Sequence, residues 1–237
     1  MNNSIMMKNN LGTLEDKLGI HFANKNLLIT SLTHSSYANQ YKNIQFNERL
    51  EFLGDSVLQL TITEYLFSYF KEKTEGELTK LRALIVCESS LYEVARELEL
   101  GSYIRMSKGE EITGGRERIS LLADCMEAVI ASIYLDGGLE QAKRFIIRYF
   151  TDIIHKAINN EIVLDYKTKL QEMLQKKGDI NIKYSLVKYE GPPHRRKFYT
   201  AVIIENKALG EGTGFSKKES EQNAARKALL FLEDLNG

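Results

Sequence analysis

The chain has 237 residues, of which 43% are hydrophobic and 27% are charged, and its formal net charge is zero. This length and composition fit a globular protein of one medium and one small domain, and they exclude a disordered or membrane-embedded chain. Residues 1–164 carry 18 Lys and Arg against 22 Asp and Glu, whereas residues 165–237 carry 14 against 10, a division expected when one part gathers carboxylates around cations and the other holds a polyanion.

The amino-terminal stretch, MNNSIMMKNN, is polar and lacks the apolar core of a secretion signal. Apolar runs in the sequence stay well short of the roughly 18 residues that a membrane span needs, so we expect a cytoplasmic protein without a membrane partner. The two cysteines, Cys87 and Cys125, lie far apart without metal-type spacing. We expect them to be reduced packing residues rather than a disulfide.

Residues 11–158 show apolar side chains at helical spacing, and neither proline of the chain occurs among them. Turn-forming residues divide this region into about seven predicted helices. The breaks are expected at Gly19, Asn39–Asn47, Lys73–Glu77, Gly101, Gly109–Gly115 and Gly137–Gly138. The first domain, residues 11–158, is therefore predicted to be all α, and residues 159–164 are predicted to form a short joint.

One predicted helix, Asn47–Leu60, places Glu51 and Asp55 at i and i+4 among mostly apolar residues, and Glu48 extends the same acidic stripe. Gly54 costs a helix about 1 kcal/mol relative to Ala, which indicates that another backbone or a ligand approaches closely there. We expect this helix to be buried.

A second predicted helix, Leu121–Tyr134, has Asp124 and Glu127 as its charged residues, at i and i+3. Its apolar circumference predicts burial. An ionised carboxylate without partners in such a place is disfavoured by several kcal/mol. A bound cation or an aqueous cleft can offset this cost. The alternative is that each acid pair is a solvated stripe on an amphipathic helix.

Carboxylate oxygens are hard ligands that suit Mg²⁺ or Mn²⁺, and two such ions can activate a water and stabilise the leaving oxygen of a phosphodiester. A carboxylate-bridged di-iron bundle would instead use Glu-x-x-His on two helices. That motif is absent from the sequence, where the nearest approach is Asp152 with His155. Hydrolysis with hard metal ions is therefore favoured over iron chemistry.

The second predicted domain, residues 165–235, has the order helix, three strands, helix, which is an α+β arrangement. The second strand and the last helix are separated by a hairpin turn, a third strand and a glycine-rich turn. The predicted segments are a helix Asp165–Lys177 stopped by Gly178, strands Ile180–Tyr189 and Lys197–Ile204, turns Gly191–His194 and Glu205–Lys207, a third strand ending at Gly212–Gly214, and a helix Ser216–Leu235.

The string NERLEFLGDSVL, Asn47–Leu58, closely resembles the signature of the ribonuclease III family, and ADCMEA, Ala123–Ala128, resembles its second acidic motif. The similarity continues through LTHSSYAN, Leu32–Asn39, and GELTKLRALIV, Gly76–Val86. It implies an all-α nuclease domain with Mg²⁺ as cofactor, for which Mn²⁺ can substitute, and no nucleotide or organic cofactor. The implied metal ligands are Glu51, Asp55, Asp124 and Glu127, of which Asp55 and Glu127 are the implied catalytic residues.

The resemblance also implies a homodimer, with the signature helix and Phe52 at the interface, in which each site cuts one strand of double-stranded RNA. The implied products carry 5′-phosphate and 3′-hydroxyl ends with short 3′ overhangs, and the implied role is the processing of ribosomal, messenger and other structured RNA precursors. His34–Ser36 match a family motif, although a helix-start or packing role is favoured for them. Arg116 matches a position near the catalytic valley but is equally consistent with an exposed loop arginine.

The second domain resembles the double-stranded-RNA-binding domain, which reads A-form RNA by shape, 2′-hydroxyls and phosphate charge. Lysines at the start of the last helix suit phosphate binding, although a solvated helix end is the alternative for them. The predicted RNA contacts are Thr168, Lys169, Gln171 and Glu172 in the first helix, His194 in the turn, and Ser216, Lys217 and Lys218 at the last helix. A non-catalytic RNA-binding or ribosome-associated protein of the same fold is the alternative function, and the intact set of four acids argues against it.

Overall fold

The computed structural model describes residues 11–41, 43–159, 161–162, 165–176, 180–192 and 196–234. The chain divides between residues 162 and 163 into two compact units, a helical one and a smaller one that contains the sheet. This confirms the predicted fold class. Within the described ranges no helix is both long and apolar enough to cross a membrane.

The first unit is built from helices α1 to α8, with short 3₁₀ turns at Leu100–Ser102 and Gly115–Glu117. Helix α1 occupies residues 11–18 of the described chain. The others are α2 (Lys25–Ser31), α3 (Ser35–Ala38), α4 (Glu48–Tyr69), α5 (Glu75–Ile85), α6 (Glu88–Glu97), α7 (Lys108–Ile112) and α8 (Ile119–Ile158).

Helix α8 has two arms that meet at Gly138, where φ is 79° and the backbone leaves the helical region. Glycine adopts such a positive φ without steric cost, and the predicted break at Gly137–Gly138 is confirmed. The first arm runs through the core of the unit, with Met126, Ile130 and Ile133 fully buried. The second arm buries Phe150 against the same core.

Helix α5 begins within the segment that was predicted as a break. Thr74 accepts a hydrogen bond from the Glu77 N–H, and the Glu77 carboxylate accepts one from the Thr74 N–H, so the two residues form a capping box. The helix therefore starts at Glu75, two residues before the predicted break ends. A further break at residues 86–87, between α5 and α6, was not predicted because no glycine or proline marks it.

Helix α4 is only partly buried, so the expectation of a buried helix was wrong for its outer face. Its inner face packs on α8 through Leu58 and Ile62, which are fully buried. Three apolar side chains on its outer face are exposed: Phe52 (79%), Leu60 (53%) and Phe67 (68%). Helical geometry places these three on one stripe, and the only ring contact found for it in the described part of this unit is Lys71 Nζ, 5.8 Å from the centre of the Phe67 ring.

The second unit contains α9 (Tyr166–Gln175), strands β1 (Ile182–Glu190), β2 (Lys197–Ile204) and β3 (Lys207–Gly214), and α10 (Lys217–Asp234). The strands form an antiparallel sheet in the order β1-β2-β3. Glu205 and Asn206 turn the β2–β3 hairpin with φ values of 47° and 66°. The predicted helix stop at Gly178 lies outside the described residues.

Glycines of β3 let α10 pack directly on the sheet. A Cβ on Gly212 would lie 2.1 Å from the Ala224 nitrogen, and one on Gly210 would lie 2.4 Å from the Ala224 carbonyl oxygen. Ala224 and Ala228 are fully buried in this contact. Strand β3 ends at Gly214, which confirms the predicted end of the third strand at Gly212–Gly214.

Candidate metal centre and nucleic-acid interface

Gly54 lies at a close approach between α4 and α8, beside the four acids. A Cβ on this glycine would lie 1.8 Å from the Glu127 carbonyl oxygen, so no larger residue fits. Leu50 and Ala131 seal the same contact from the neighbouring turns. The predicted close approach at Gly54 is confirmed, and its partner is the backbone of an acid from the second pair.

The four carboxyl groups are half-buried and influence one another. Burial raises the pKa of Glu127 to about 8, with further contributions from Asp55, Glu51 and Asp124 in that order. Burial likewise raises the pKa of Glu51, with Asp124 and Glu48 adding to it. The two acid pairs that lie about 70 residues apart in the sequence thus share one electrostatic site.

Asp124 borders an acid that the sequence analysis did not identify. Burial raises the pKa of Asp124, and the negative charge of Glu88 raises it further, while His34 opposes the shift. Glu88 is the first residue of α6 and is exposed. No local pattern could have found it, because only the tertiary fold brings α6 beside α8.

Ion pairs that would offset the charge of these acids are not found in the part of the chain that the structure describes. Across the described ranges, no Lys or Arg forms an ion pair with Glu51, Asp55, Asp124 or Glu127. Both oxygens of Asp55 accept hydrogen bonds from the Gln59 amide at 2.8 Å, a contact that the sequence analysis missed. In the same part of the chain, no three acidic, histidine or cysteine side chains are grouped closely enough to hold a metal ion.

His34 caps the start of α3. Its Nδ1 accepts a hydrogen bond from the Ser36 N–H at 3.2 Å, and the Ser36 hydroxyl lies 2.8 Å from the same nitrogen. The Ser36 hydroxyl also accepts a bond from the Ser107 N–H at 3.0 Å. The favoured helix-start role of this segment is confirmed.

Arg116 fastens loops rather than pointing freely into solvent. Its guanidinium donates to the carbonyl oxygens of Gly101 at 2.7 Å and Ile104 at 3.0 Å, and its Nε donates to the Glu111 carboxylate at 2.6 Å. These bonds hold the 3₁₀ turns of the unit together.

Cys125 is buried, and burial raises the pKa of its thiol to about 12, as expected for a packing residue.

The predicted contact residues of α9 lie on its exposed side. Thr168, Lys169, Gln171 and Glu172 are all exposed, whereas Leu170 is fully buried. Asp165 caps this helix, since its carboxylate accepts bonds from the Thr168 N–H at 3.0 Å and the Thr168 hydroxyl at 2.8 Å. The Thr168 hydroxyl is thus already engaged in the cap.

The start of α10 presents its predicted cations to solvent. Lys217 and Lys218 are exposed, and the Ser216 hydroxyl accepts a hydrogen bond from the Glu219 N–H at 3.0 Å. Ser216 therefore caps the helix. His194 lies outside the described residues. Two positions further along the chain, the Arg196 guanidinium lies 4.5 Å from the centre of the Tyr189 ring.

Comparisons with known proteins match both units. Residues 24–154 match the family model described as Ribonuclease-III-like, and residues 166–232 match the model described as Double-stranded RNA binding motif. The chain is 65% identical over 228 residues to the Ribonuclease 3 of Clostridium beijerinckii, covering 96% of this chain and 98% of that protein. It is also 65% identical over 226 residues to the Ribonuclease 3 of Clostridium perfringens, covering 95% of each.

Two solved structures of the ribonuclease III nuclease domain from Campylobacter jejuni are similar to the first unit. One has a TM-score of 0.56 with 47% identity and covers 60% of this chain and 95% of that one. The other, with a TM-score of 0.55 and 47% identity, covers 59% of this chain and 94% of its own. It is described as flexible in a region involved in dimer formation.

Proposed function

Because the chain belongs to the ribonuclease III family, we propose that Glu51, Asp55, Asp124 and Glu127 form the metal-dependent centre of this double-stranded-RNA endonuclease. The observation that carries the proposal is the contact of Gly54 with the Glu127 backbone, which brings two acid pairs together. Partly burying four carboxyl groups that have no ion-pair partner among the described residues opposes folding stability. Such an arrangement is retained where the acids serve a bound cation.

The chemical type of these ligands fits Mg²⁺, with Mn²⁺ as the substitute, because both ions prefer carboxylate oxygens, and the four side chains would have to draw closer together than in this structure to hold an ion. When bound, such ions supply electrostatic stabilisation of the phosphodiester and lower the pKa of an attacking water. The chain's own part is to hold the four acids. Gln59 orients the Asp55 carboxylate through its amide, and the capped α3 places His34 beside Asp124.

Glu127 is the acid on which we expect hydrolysis to depend most. Its carboxyl group is influenced by all three other acids of the centre, whereas the pKa of Glu51 is raised by one of them. Asp55, the second catalytic residue of the proposal, lies on the facing helix α4. The pair therefore spans the α4–α8 contact at which a phosphodiester would be held.

The test of this centre compares Glu127→Gln with Glu140→Gln in the full chain. Glu140 is an exposed acid of the same helix α8, so it controls for the loss of one charge. Glu127→Gln should abolish cleavage of duplex RNA in Mg²⁺ and leave RNA binding within about twofold, whereas Glu140→Gln should cleave normally. Cleavage by Glu127→Gln at the wild-type rate would overturn the assignment.

Duplex RNA is proposed to contact α9 through Thr168, Lys169, Gln171 and Glu172, and to contact α10 through Ser216, Lys217 and Lys218. Exposed cations at a helix start bind phosphates through charge and through the helix dipole. The residues of α9 suit 2′-hydroxyls in a shallow minor groove. His194 is proposed as a third contact from the sequence alone.

A homodimer is proposed to form through the exposed stripe of α4. Phe52 and Phe67 lie at opposite ends of this stripe, about 22 Å apart along a helix of 1.5 Å rise per residue. Beside Phe67 is a groove of about 450 Å³, lined in part by Leu66, Leu78 and Arg82. Antiparallel pairing of two α4 helices about a two-fold axis would bring Phe52 of each copy to the groove of the other.

Such a dimer would place two four-acid centres beside one interface, since Glu51 and Asp55 border the stripe. Each centre would then cut one strand, leaving 5′-phosphate and 3′-hydroxyl ends with short 3′ overhangs. We propose ribosomal, messenger and other structured RNA precursors as the substrates. Because such precursors are made and matured in the cytoplasm of a bacterial cell, we place the enzyme there.

A further inference from the structure

The side chain of Gln222 joins the two helices of the second unit at their N-terminal ends. Its Oε1 accepts hydrogen bonds from the backbone N–H groups of Tyr166 at 2.7 Å and Lys167 at 3.3 Å. Its Nε2 donates to the Asp165 carboxylate at 2.9 Å. One amide of α10 thus satisfies two first-turn N–H groups of α9, which have no partner within their own helix.

Asp165 completes this contact from the α9 side. The same Oδ1 that accepts from Gln222 also accepts from the Thr168 N–H at 3.0 Å. The Gln222 amide and the Thr168 bonds hold the pKa of Asp165 at about 2, so the carboxylate stays ionised across the physiological range. The cap of α9 and the bridge from α10 therefore share one carboxylate.

A neighbouring ion pair holds the same two helices together. The Lys167 ammonium lies 2.6 Å from the Glu221 carboxylate and 4.4 Å from the centre of the Tyr184 ring of β1. Glu221 and Gln222 are consecutive, so both reach α9 from one turn of α10. Both side chains, like that of Lys167, are partly buried, which limits their freedom to rearrange.

We propose that Gln222 is a positioning residue that sets the spacing between the two RNA-contacting segments, Thr168–Glu172 on α9 and Ser216–Lys218 on α10. The inference rests on the proposed RNA-binding surface. Gln222 follows Lys217 by five residues in α10, and its bonds end at Tyr166 and Lys167, directly before Thr168. A duplex is read by shape, so contacts to separate parts of it require a fixed distance between the elements that make them.

The first experiment measures the Kd of the full chain for duplex RNA in EDTA, which prevents cleavage. Gln222→Leu removes both the acceptor and the donor and leaves an apolar side chain at the same position. We expect its Kd to rise about tenfold, in line with the loss of several hydrogen bonds. Gln175→Leu makes the same chemical change at the exposed end of α9 and should bind like the wild type.

A reciprocal exchange separates positioning from general loss of stability. Gln222→Glu alone should weaken binding, because two carboxylates would face each other. Gln222→Glu combined with Asp165→Asn restores one donor and one acceptor across the helices and should recover affinity to within about threefold of the wild type. Gln222→Glu combined with Glu205→Gln has the same net charge without the restored bond, and it should stay weak.

Cleavage kinetics in Mg²⁺ give an independent readout. Gln222→Leu should raise KM with kcat unchanged, since the residue lies outside the nuclease unit. Wild-type affinity of a folded Gln222→Leu chain, or equal recovery by Glu205→Gln, would overturn the inference while leaving the proposed surface intact. The surface itself fails separately if Lys217→Ala with Lys218→Ala binds duplex RNA as tightly as the wild type.

Discussion

Glu127 lies where the requirements of folding and of metal binding conflict. Burial and three acidic neighbours raise its pKa from an ordinary 4.5 to about 8. The folded chain without metal therefore holds a proton on this group that the unfolded chain has already lost near neutral pH. As the pH rises from about 4.5 to 8, this difference lowers the stability of the fold.

Replacing Glu127 by Gln should therefore stabilise the metal-free chain, although it abolishes the proposed activity. The melting temperature in EDTA should be equal for the two chains near pH 4.5, and Glu127→Gln should melt higher above pH 8. Thermal unfolding across this pH range measures the effect, with Glu140→Gln as the matched control. A lower melting temperature for Glu127→Gln at pH 8.5 would contradict the raised pKa.

Some roles of single residues could be predicted from the sequence and others could not. Gly54 predicted a close approach because a glycine among strong helix formers needs a reason, but its partner could be any backbone. The sequence could not decide the role of Arg116, because its hydrogen bonds to the Gly101 and Ile104 carbonyl oxygens form only in the folded loops. Gln222 and Glu88 gave no signal, because each acts on a residue distant in the sequence.

At the scale of elements, the contact between α4 and α8 decides whether the centre is assembled. Gly54→Ala should lower the free energy of unfolding by about 1–3 kcal/mol through overcrowding against the Glu127 carbonyl, despite the higher helix propensity of Ala. The same change should abolish cleavage, because it separates the two acid pairs. Denaturant unfolding and a duplex cleavage assay measure both effects.

Gly76→Ala provides the control for this prediction. Gly76 also lies in a helix, α5, but an added Cβ would meet nothing within 4 Å. Its substitution should leave cleavage unchanged and should be neutral or stabilising by up to about 1 kcal/mol. Equal stability of the Gly54→Ala and Gly76→Ala chains would show that the α4–α8 contact tolerates a methyl group.

Most elements could be predicted from local signals, and the exceptions have physical reasons. The hairpins and the break at Gly138 follow from turn-forming residues, whose backbone preferences act locally. The start of α5 was misplaced because a capping box, Thr74 with Glu77, extends a helix into a polar segment. The apolar pattern alone did not reveal the exposed face of α4, because apolar periodicity does not tell a core from an interface; only the family resemblance pointed to an interface there.

At the scale of the whole molecule, the exposed stripe of α4 predicts self-association. Phe52→Ala should weaken the proposed dimer by about 2 kcal/mol or more, as expected for a buried aromatic anchor. Ile112→Ala is the matched control, because Ile112 is similarly exposed (76%) on the separate helix α7. Sedimentation equilibrium over a concentration series should show dissociation of the Phe52→Ala chain alone, and a stable Phe52→Ala dimer would exclude this face.

The sequence alone shows that the first part of the chain is acidic and the second part basic, since this requires only a count of charged residues. The acidic part contains the four carboxyl groups of the proposed centre, and the basic part contains the exposed lysines of α10. The count could not show which residues hold these charged groups in position. We propose Gly54 for this role in the first unit and Gln222 in the second.

The most direct measurement mixes the purified chain with a labelled RNA duplex, its single strand and a DNA duplex of the same sequence, each with Mg²⁺ and with EDTA. Cleavage of the RNA duplex alone, and only with Mg²⁺, is the predicted result. Cleavage that persists in EDTA, or binding of the duplex without any cleavage in Mg²⁺, would contradict a four-carboxylate metal centre.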